Sequence, residues 1–522
     1  VNAGRSGFTP WTIAGMLAAA AILFAVARPG FYGACVSTAC VLGFVKSLRP
    51  DLRQDMAVRA VLITFFMPAI AWVLPSVWLL YFVMALWVPI FARRPDQIAG
   101  VYLHSLLLLP GLDLAVEPGG LKLFEVGVHD ALALGAVVAI RRTGGGARIA
   151  GKDDLRVALL LLVLVFASAR STSFTHFLRT TINIAFDFGL PYYILSRALG
   201  HASAMRSAMR WFACSGTALA GILVFEAWQS WPMYNELYWH YGVQMLLIVK
   251  SRGAMMRPGG PFNEPTSIAL VMVLCLFALW LIRDDFRTRV RHGLLCLLVF
   301  LGASTPQSRN AWVAFGIAVL LGDVFLGRWA ALVRKVVPTA AAVTLILVAA
   351  QVWPSFSESL GLSGQGSDTA DYRRDLLRRG TEEFWASPIV GFSRDELEVR
   401  LNDMRQGEGI IDFVNTYLWF ALVAGVIGLV AFLWNLGAPL FSLWRRRGLA
   451  ETAIPAVFVF GCLAALGATL FFTFFATRMA FLTLGFMGFA AAIRAAGRGQ
   501  TAAPPPPRPS PQFVGPMAVA AS

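Results

Sequence analysis

Solid apolar runs recur along almost the whole of this chain; Trp11–Ala27, Leu155–Ala169, Ile268–Ile282 and Val336–Val352 are four of them. A run of that kind crosses a bilayer as a helix, because lipid offers no partner to backbone N–H and C=O groups and a helix pairs them within the segment. A β-barrel would show short alternating stretches instead. Only 14% of the 522 residues are charged and 57% are hydrophobic, whereas soluble domains run near a quarter charged. The expected fold class is an all-α polytopic membrane protein. Apolar segments near 11–27, 31–45, 60–74, 76–92, 98–110, 123–140, 155–169, 177–196, 211–229, 265–282, 293–304, 310–327, 336–353, 413–436, 453–471 and 477–493 give roughly 12 to 16 transmembrane helices. The pair flanking Pro75 could form one kinked helix, and 98–110 could be re-entrant.

Charge sets the expected orientation. With the N-terminus in the cytoplasm, every short inside loop is basic: Lys46/Arg49/Arg53/Arg59, Arg93/Arg94, Arg141/Arg142, Arg206/Arg210, Arg283/Arg287/Arg289/Arg291, Arg328/Arg334/Lys335 and Arg445/Arg446/Arg447 among them. That is the positive-inside pattern. It accounts for the net charge of +15 without invoking nucleic acid. The expected topology is multi-pass, with both termini cytoplasmic. No cleavable signal peptide is evident at the first apolar run. The six cysteines, Cys35, Cys40, Cys214, Cys275, Cys296 and Cys462, all fall in apolar runs and read as small core residues.

The chain divides into N-terminal transmembrane helices over 1–150, a transmembrane region over 151–353 with an outer loop about 231–263, a large outer loop over 354–412, C-terminal transmembrane helices over 413–496, and a Pro-rich cytoplasmic tail over 497–522. Composition marks the tail as disordered. In the large loop, SGQGSD looks flexible. Tyr372–Trp385 carries Leu376, Leu377 and Phe384 at helical spacing and is expected to form a surface helix, ended by Pro388 and Gly391.

Arginines are scarce on the outer face of a membrane protein, so outer clusters ask for a reason. The large loop holds Arg373, Arg374, Arg378, Arg379, Arg394, Arg400 and Arg405; the smaller holds Arg252 and Arg257; Arg309 opens an outer span end. A guanidinium is a permanently charged planar fork suited to phosphate, although headgroup anchoring uses the same residues. Gly259–Gly260 would let backbone approach a ligand, and Glu264 could pair with a nearby arginine. Asp412 and Asn415 stand where the large loop enters the membrane. At a cavity rim Asp412 can serve as a base; as the N-cap of a helix beginning near Val414 it would be purely structural. Asp130, Asp187 and Glu226 lie in or near spans and read either as a relay or as helix–helix hydrogen bonds. His176 and His240 are the histidines placed toward the outer face. The chain has neither paired-histidine zinc spacing nor a P-loop nor a GxSxG elbow, so neither a metal nor another cofactor is expected.

Three stretches together resemble the O-antigen ligase and Wzy-type polysaccharide polymerase superfamily: RPGGPFNEPTSIAL, STPQSRNAWVAF, and YRRDLLRRGTEEFWASPIVGFS followed by VNTYLWFALVAGVIGLV. The resemblance implies a membrane glycosyltransferase that draws on an undecaprenyl-pyrophosphate-linked glycan at the periplasmic face and passes it to a glycan or lipid-linked acceptor, with other polysaccharide-assembly proteins as partners. It implies catalytic roles for Arg257 and Arg373, with Arg252, Arg309, Arg374, Arg378, Glu264 and Asn415 binding substrate. The family's ligases place a histidine base directly before the asparagine; here that position is Val414, so either Asp412 substitutes as the base, or a histidine from elsewhere such as His176 reaches in, or the reaction relies mainly on arginine electrostatics, and the departure tilts the reading from ligase toward polymerase. The resemblance also implies a bacterial inner membrane as the location. A lipid-linked glycan flippase or exporter is the alternative class, and it would distribute basic residues along a central lumen.

Overall fold

The structure, a computed structural model, describes residues 9–116, 124–144, 151–170, 173–243, 251–252, 255–353, 365–405, 411–447, 452–474 and 477–501. The Pro-rich run of the tail lies outside the described residues. The protein is an all-α, multi-pass membrane protein. Five helices are long and apolar enough to cross a membrane: Arg28–Ser47, Met56–Val73, Ala202–Gln229, Thr416–Arg445 and Arg478–Gly497. Shorter apolar helices, Pro10–Val26, Val77–Phe91, Pro265–Leu281 and Ala453–Thr469, fill out the bundle. The expected apolar segments fall on helices, except that 123–140 opens on the strand Phe124–Gly127 before its helix begins at Val128, and 177–196 crosses two helices joined by a π-helical turn. The segments flanking Pro75 are two separate helices, Pro50–Val73 and Val77–Phe91, rather than one kinked helix. Two antiparallel ribbons interrupt the helical pattern, Asp113–Val116 with Phe124–Gly127 and Ser251–Arg252 with Met255–Met256.

Ala202–Gln229 is the central helix. It packs against Arg28–Ser47, Pro95–Leu108, Pro265–Leu281 and Arg289–Ser304. Small residues make this possible, since in lipid close backbone approach and dispersion do most of the work of association. A Cβ on Gly100 would stand 2.2 Å from the Trp211 ring, and one on Gly302 would stand 2.6 Å from the Ala220 Cα. Pro95–Leu108 has 14 residues, about 21 Å of helix, and most of its length is buried. The six cysteines are free, and Cys214, Cys275 and Cys462 are fully buried.

The described part of the large loop is a helical unit with its own core. Gln365–Ala386 is one helix, so the residues of SGQGSD from Gln365 onward are helical rather than flexible. Arg394–Arg400 follows, with Ser393 and Glu396 forming a capping box. Leu376, Phe392, Leu397 and Leu401 pack against Leu418 and Leu422 of the helix Thr416–Arg445. That last helix breaks at Gly425, where φ is +62° and ψ is −160°. The turn Pro388–Phe392 inserts at the break: Phe392 N–H donates to Leu422 O at 2.7 Å, and Val426 N–H donates to Pro388 O at 2.8 Å.

Candidate functional site

The three sequence motifs converge at one end of the bundle, and backbone hydrogen bonds show how. Arg252 donates to the Gln307 carbonyl at 2.7 Å, and Arg257 Nε donates to the Pro306 carbonyl at 2.8 Å. These bonds fasten the RPGG segment onto the STPQSR turn. That turn is held in turn by Asn310, whose side chain donates to Phe472 O at 3.3 Å. Thr416, at the start of the entry helix, donates its N–H to Leu470 O at 2.9 Å and its hydroxyl to Thr473 O at 2.7 Å. One turn, 470–473, thus anchors both the second and third motifs.

The convergence crowds like charges. Burial lowers the Arg257 pKa from its ordinary value, with Arg252 and Arg309 adding to the shift and Glu264 opposing it. Arg309 in turn lies within the field of Arg252 and Arg373. Burial lowers Arg373 as well, against the opposing influence of Asp412. Guanidinium basicity is high enough that all four remain cationic. Arg373 Nε is buried with no hydrogen-bond partner among the described residues. Four cations from three loops therefore share a region in which at least one buried donor is unspent.

Sequence alone could not separate the arginines of the large-loop helix; the structure does. Arg373 is half-buried and turned toward Arg309 and Asp412. Arg374 is 77% exposed and pairs with Asp371 at 2.9 Å, and Arg378 pairs with Glu382 at 3.2 Å. The structure does not bring these two to the cluster. Glu264 caps the helix Pro265–Leu281, accepting from Thr266 N–H at 2.9 Å and Ser267 N–H at 2.6 Å. Gly260 has φ +50° and gives its N–H to Glu226 at 2.9 Å, so it serves the turn rather than the close approach of a ligand. Glu226, fully buried, is thereby a loop anchor, and Asp130 likewise accepts Gly127 N–H at 2.8 Å.

The reading of Asp412 as a helix cap is corrected. The helix begins at Thr416, not near Val414, and its cap is Asn415, whose side-chain oxygen accepts from Tyr417 N–H at 3.0 Å and Leu418 N–H at 3.1 Å. Asn415 is buried and its amide oxygen is committed to the helix. Asp412 is held through its backbone instead: its N–H donates to the Tyr372 hydroxyl at 3.1 Å. Its side chain is exposed, contrary to the burial expected of a tuned base, and it lines a cavity of about 570 Å³. His176 and Asp187 line that same cavity. His240 does not; its ring bonds to the Leu74 carbonyl at 3.0 Å.

Two arginines escaped sequence reasoning. Arg170 donates to the carbonyls of Gly391 at 2.8 Å and Phe392 at 3.2 Å, and also to that of Val423. It thereby ties the inserted turn to the helix, and in Val423 it serves a carbonyl next to the break at Gly425. Arg478 lies 4.3 Å over the Phe262 ring, has a buried Nη1 with no hydrogen-bond partner among the described residues, and is within the field of Glu264. Its signal was the one that marked Arg309, a lone arginine at the start of an apolar helix.

The chain matches no curated protein. Residues 294–433 match the family model described as O-antigen ligase, and over that stretch, which carries Arg309, Arg373, Asp412 and Asn415, the chain is similar to the O-antigen ligase and Wzy-type superfamily that its motifs resemble.

Proposed function

We propose that this protein is a membrane glycosyltransferase that polymerises or ligates a surface polysaccharide, O-antigen or exopolysaccharide, from undecaprenyl-pyrophosphate-linked glycans at the periplasmic face. The observation that carries this reading is the convergence of Arg252, Arg257, Arg309 and Arg373 from three separate segments, with the Arg373 Nε buried and unspent. Mutual repulsion makes such a cluster costly when empty, and an anion of pyrophosphate charge relieves it. The family match supports the same class of reaction.

In the proposed reaction the acceptor hydroxyl oxygen attacks the anomeric carbon of the donor. The bond from that carbon to the pyrophosphate oxygen breaks, and undecaprenyl pyrophosphate leaves with the electron pair. The guanidinium cluster stabilises the charge developing on the leaving group, the part a divalent cation plays elsewhere, so that no metal is required. Asp412 accepts the hydroxyl proton. It sits between the two halves of the site, within the field of Arg373 on one side and lining the cavity on the other. A bound glycan would cover its exposed carboxylate and make it a stronger base by desolvation.

Arg257→Ala and Arg373→Ala should each lower transfer at least tenfold at matched protein levels, since a charged hydrogen bond to phosphate contributes about 1.5–3 kcal/mol. Lysine should rescue poorly because it lacks the fork. The measurement is surface glycan in a deletion strain complemented with each variant, together with undecaprenyl-pyrophosphate binding by the purified protein. Near-normal glycan and binding from both alanine variants would remove the pyrophosphate site. In the deletion strain, accumulated single repeat units point to a polymerase, and long lipid-linked polymer points to a ligase.

A further inference from the structure

The helix Phe174–Asn183 runs without interruption into a π-helical turn, Ile184–Gly189, and on into Leu190–Ala198. Wide turns of this kind cluster at functional sites. His176, Thr180, Asn183 and Asp187 recur along it at helical spacing, so they form one stripe, and all four line the 570 Å³ cavity. The stripe was not legible as a site in the sequence, because its members are common polar residues spread through a segment of mixed polar and apolar residues. A polar stripe is costly to bury unless it faces water or a polar ligand. Here it faces a void of the size that holds a small-molecule ligand.

The rest of the lining narrows the ligand's chemistry. Trp419 and Phe474 supply aromatic surface, and Asp412 lines the cavity with them. Charges of both signs are present: Glu398 lies between Arg394, at 3.4 Å, and Arg405, at 3.7 Å. Such a lining selects neither a simple anion nor a cation. Hydroxyl-rich edges matched by polar side chains, and apolar ring faces matched by aromatic ones, are the signature of a sugar. A neighbouring groove of about 200 Å³, lined by residues such as Leu159, Val163, Phe166 and Ile427, has only apolar side chains and lacks this dual character.

We propose that this cavity is the acceptor subsite, and that the stripe His176–Thr180–Asn183–Asp187 binds the hydroxyls of the acceptor glycan and presents one of them to Asp412. The inference rests on the transferase reading above and adds the site of its second substrate. Its test uses the full-length protein in lipid nanodiscs. The probe is the oligosaccharide freed by mild acid from the source cells' lipid-linked glycan, which carries neither lipid nor pyrophosphate. The oligosaccharide should give a saturation-transfer NMR signal with the wild type. A Thr180→Val/Asn183→Leu variant should lose that signal while still binding undecaprenyl pyrophosphate. In an Asn183→Cys variant the oligosaccharide should slow modification by a small methanethiosulfonate severalfold; this second measurement decides if the double variant misfolds. An undiminished signal in a folded double variant, or a cysteine at position 183 that the oligosaccharide leaves unprotected, overturns the proposal. The donor reading fails by a different result, namely unchanged undecaprenyl-pyrophosphate binding after Arg257→Ala and Arg373→Ala.

Discussion

At the scale of single residues, neighbours in sequence have opposite fates. Arg373 and Arg374 are adjacent, yet one is half-buried with an unspent donor and the other is 77% exposed and paired with Asp371. An exposed pair of this kind contributes about 0.3–0.5 kcal/mol. Arg374→Ala and Arg378→Ala should therefore leave both transfer and thermal stability close to wild type, whereas Arg373→Ala should not. Equal losses of surface glycan in all three variants would show that the helix presents a diffuse basic face rather than one placed guanidinium. Asp412 offers a sharper contrast now that Asn415 is the helix cap. Asp412→Asn keeps the side chain's size and leaves the backbone bond to Tyr372 in place. It should abolish transfer with no change in melting temperature or in undecaprenyl-pyrophosphate binding. Full transfer by this variant would move the base to His176, which shares the cavity.

At the scale of elements, the broken helix Thr416–Arg445 organises the site. Gly425 stands at φ +62°, and a Cβ there would lie 2.1 Å from Ile389 O; Gly391 stands at φ +69°, with Leu422 O at 2.3 Å from its would-be Cβ. Two glycines face each other because each must yield space to the other's backbone. Gly425→Ala combines a positive-φ, extended-ψ conformation that essentially only glycine adopts, costing about 1–3 kcal/mol, with a backbone clash. It should lower the melting temperature in detergent and reduce transfer together, because the turn that it displaces positions the helix bearing Leu397 and Glu398. Arg170→Lys should have a milder effect of the same kind: a single ammonium cannot serve carbonyls on Gly391, Phe392 and Val423 at once, and one lost charged bond costs about 1.5–3 kcal/mol. A Gly425→Ala protein with wild-type melting and activity would mean that the break is incidental.

At the scale of the whole molecule, the expected topology has a direct test. If the basic loops are cytoplasmic, Asp375→Cys on the large-loop helix should react with an impermeant thiol reagent in cells with a permeabilised outer membrane, and Asp284→Cys should not. Both side chains are exposed, at 57% and 79%, so access rather than burial decides the result. The reverse labelling pattern would invert the protein and remove the periplasmic assignment. Much of this architecture follows from sequence, because lipid leaves an apolar segment little choice but a helix, and nearly every expected segment lies wholly on helix, 123–140 with its opening strand being the exception. The arginine motifs were likewise visible, since arginines in loops expected on the outer face run against a strong charge bias. What sequence could not supply was rotation and distance. Which of Arg373 and Arg374 turns inward depends on how Leu376 packs against Leu418 and Leu422. Asn415 rather than Asp412 caps the helix because the bonds of Thr416 to the 470–473 turn fix where helical backbone begins. The polar stripe from His176 to Asp187 acquires meaning only opposite Asp412 and Trp419, which lie more than two hundred residues away in the chain. Local physics thus settled the helices and the suspicious charges, while packing between distant segments decided which charges meet, because a side chain's partners are set by the helix faces that burial leaves in contact.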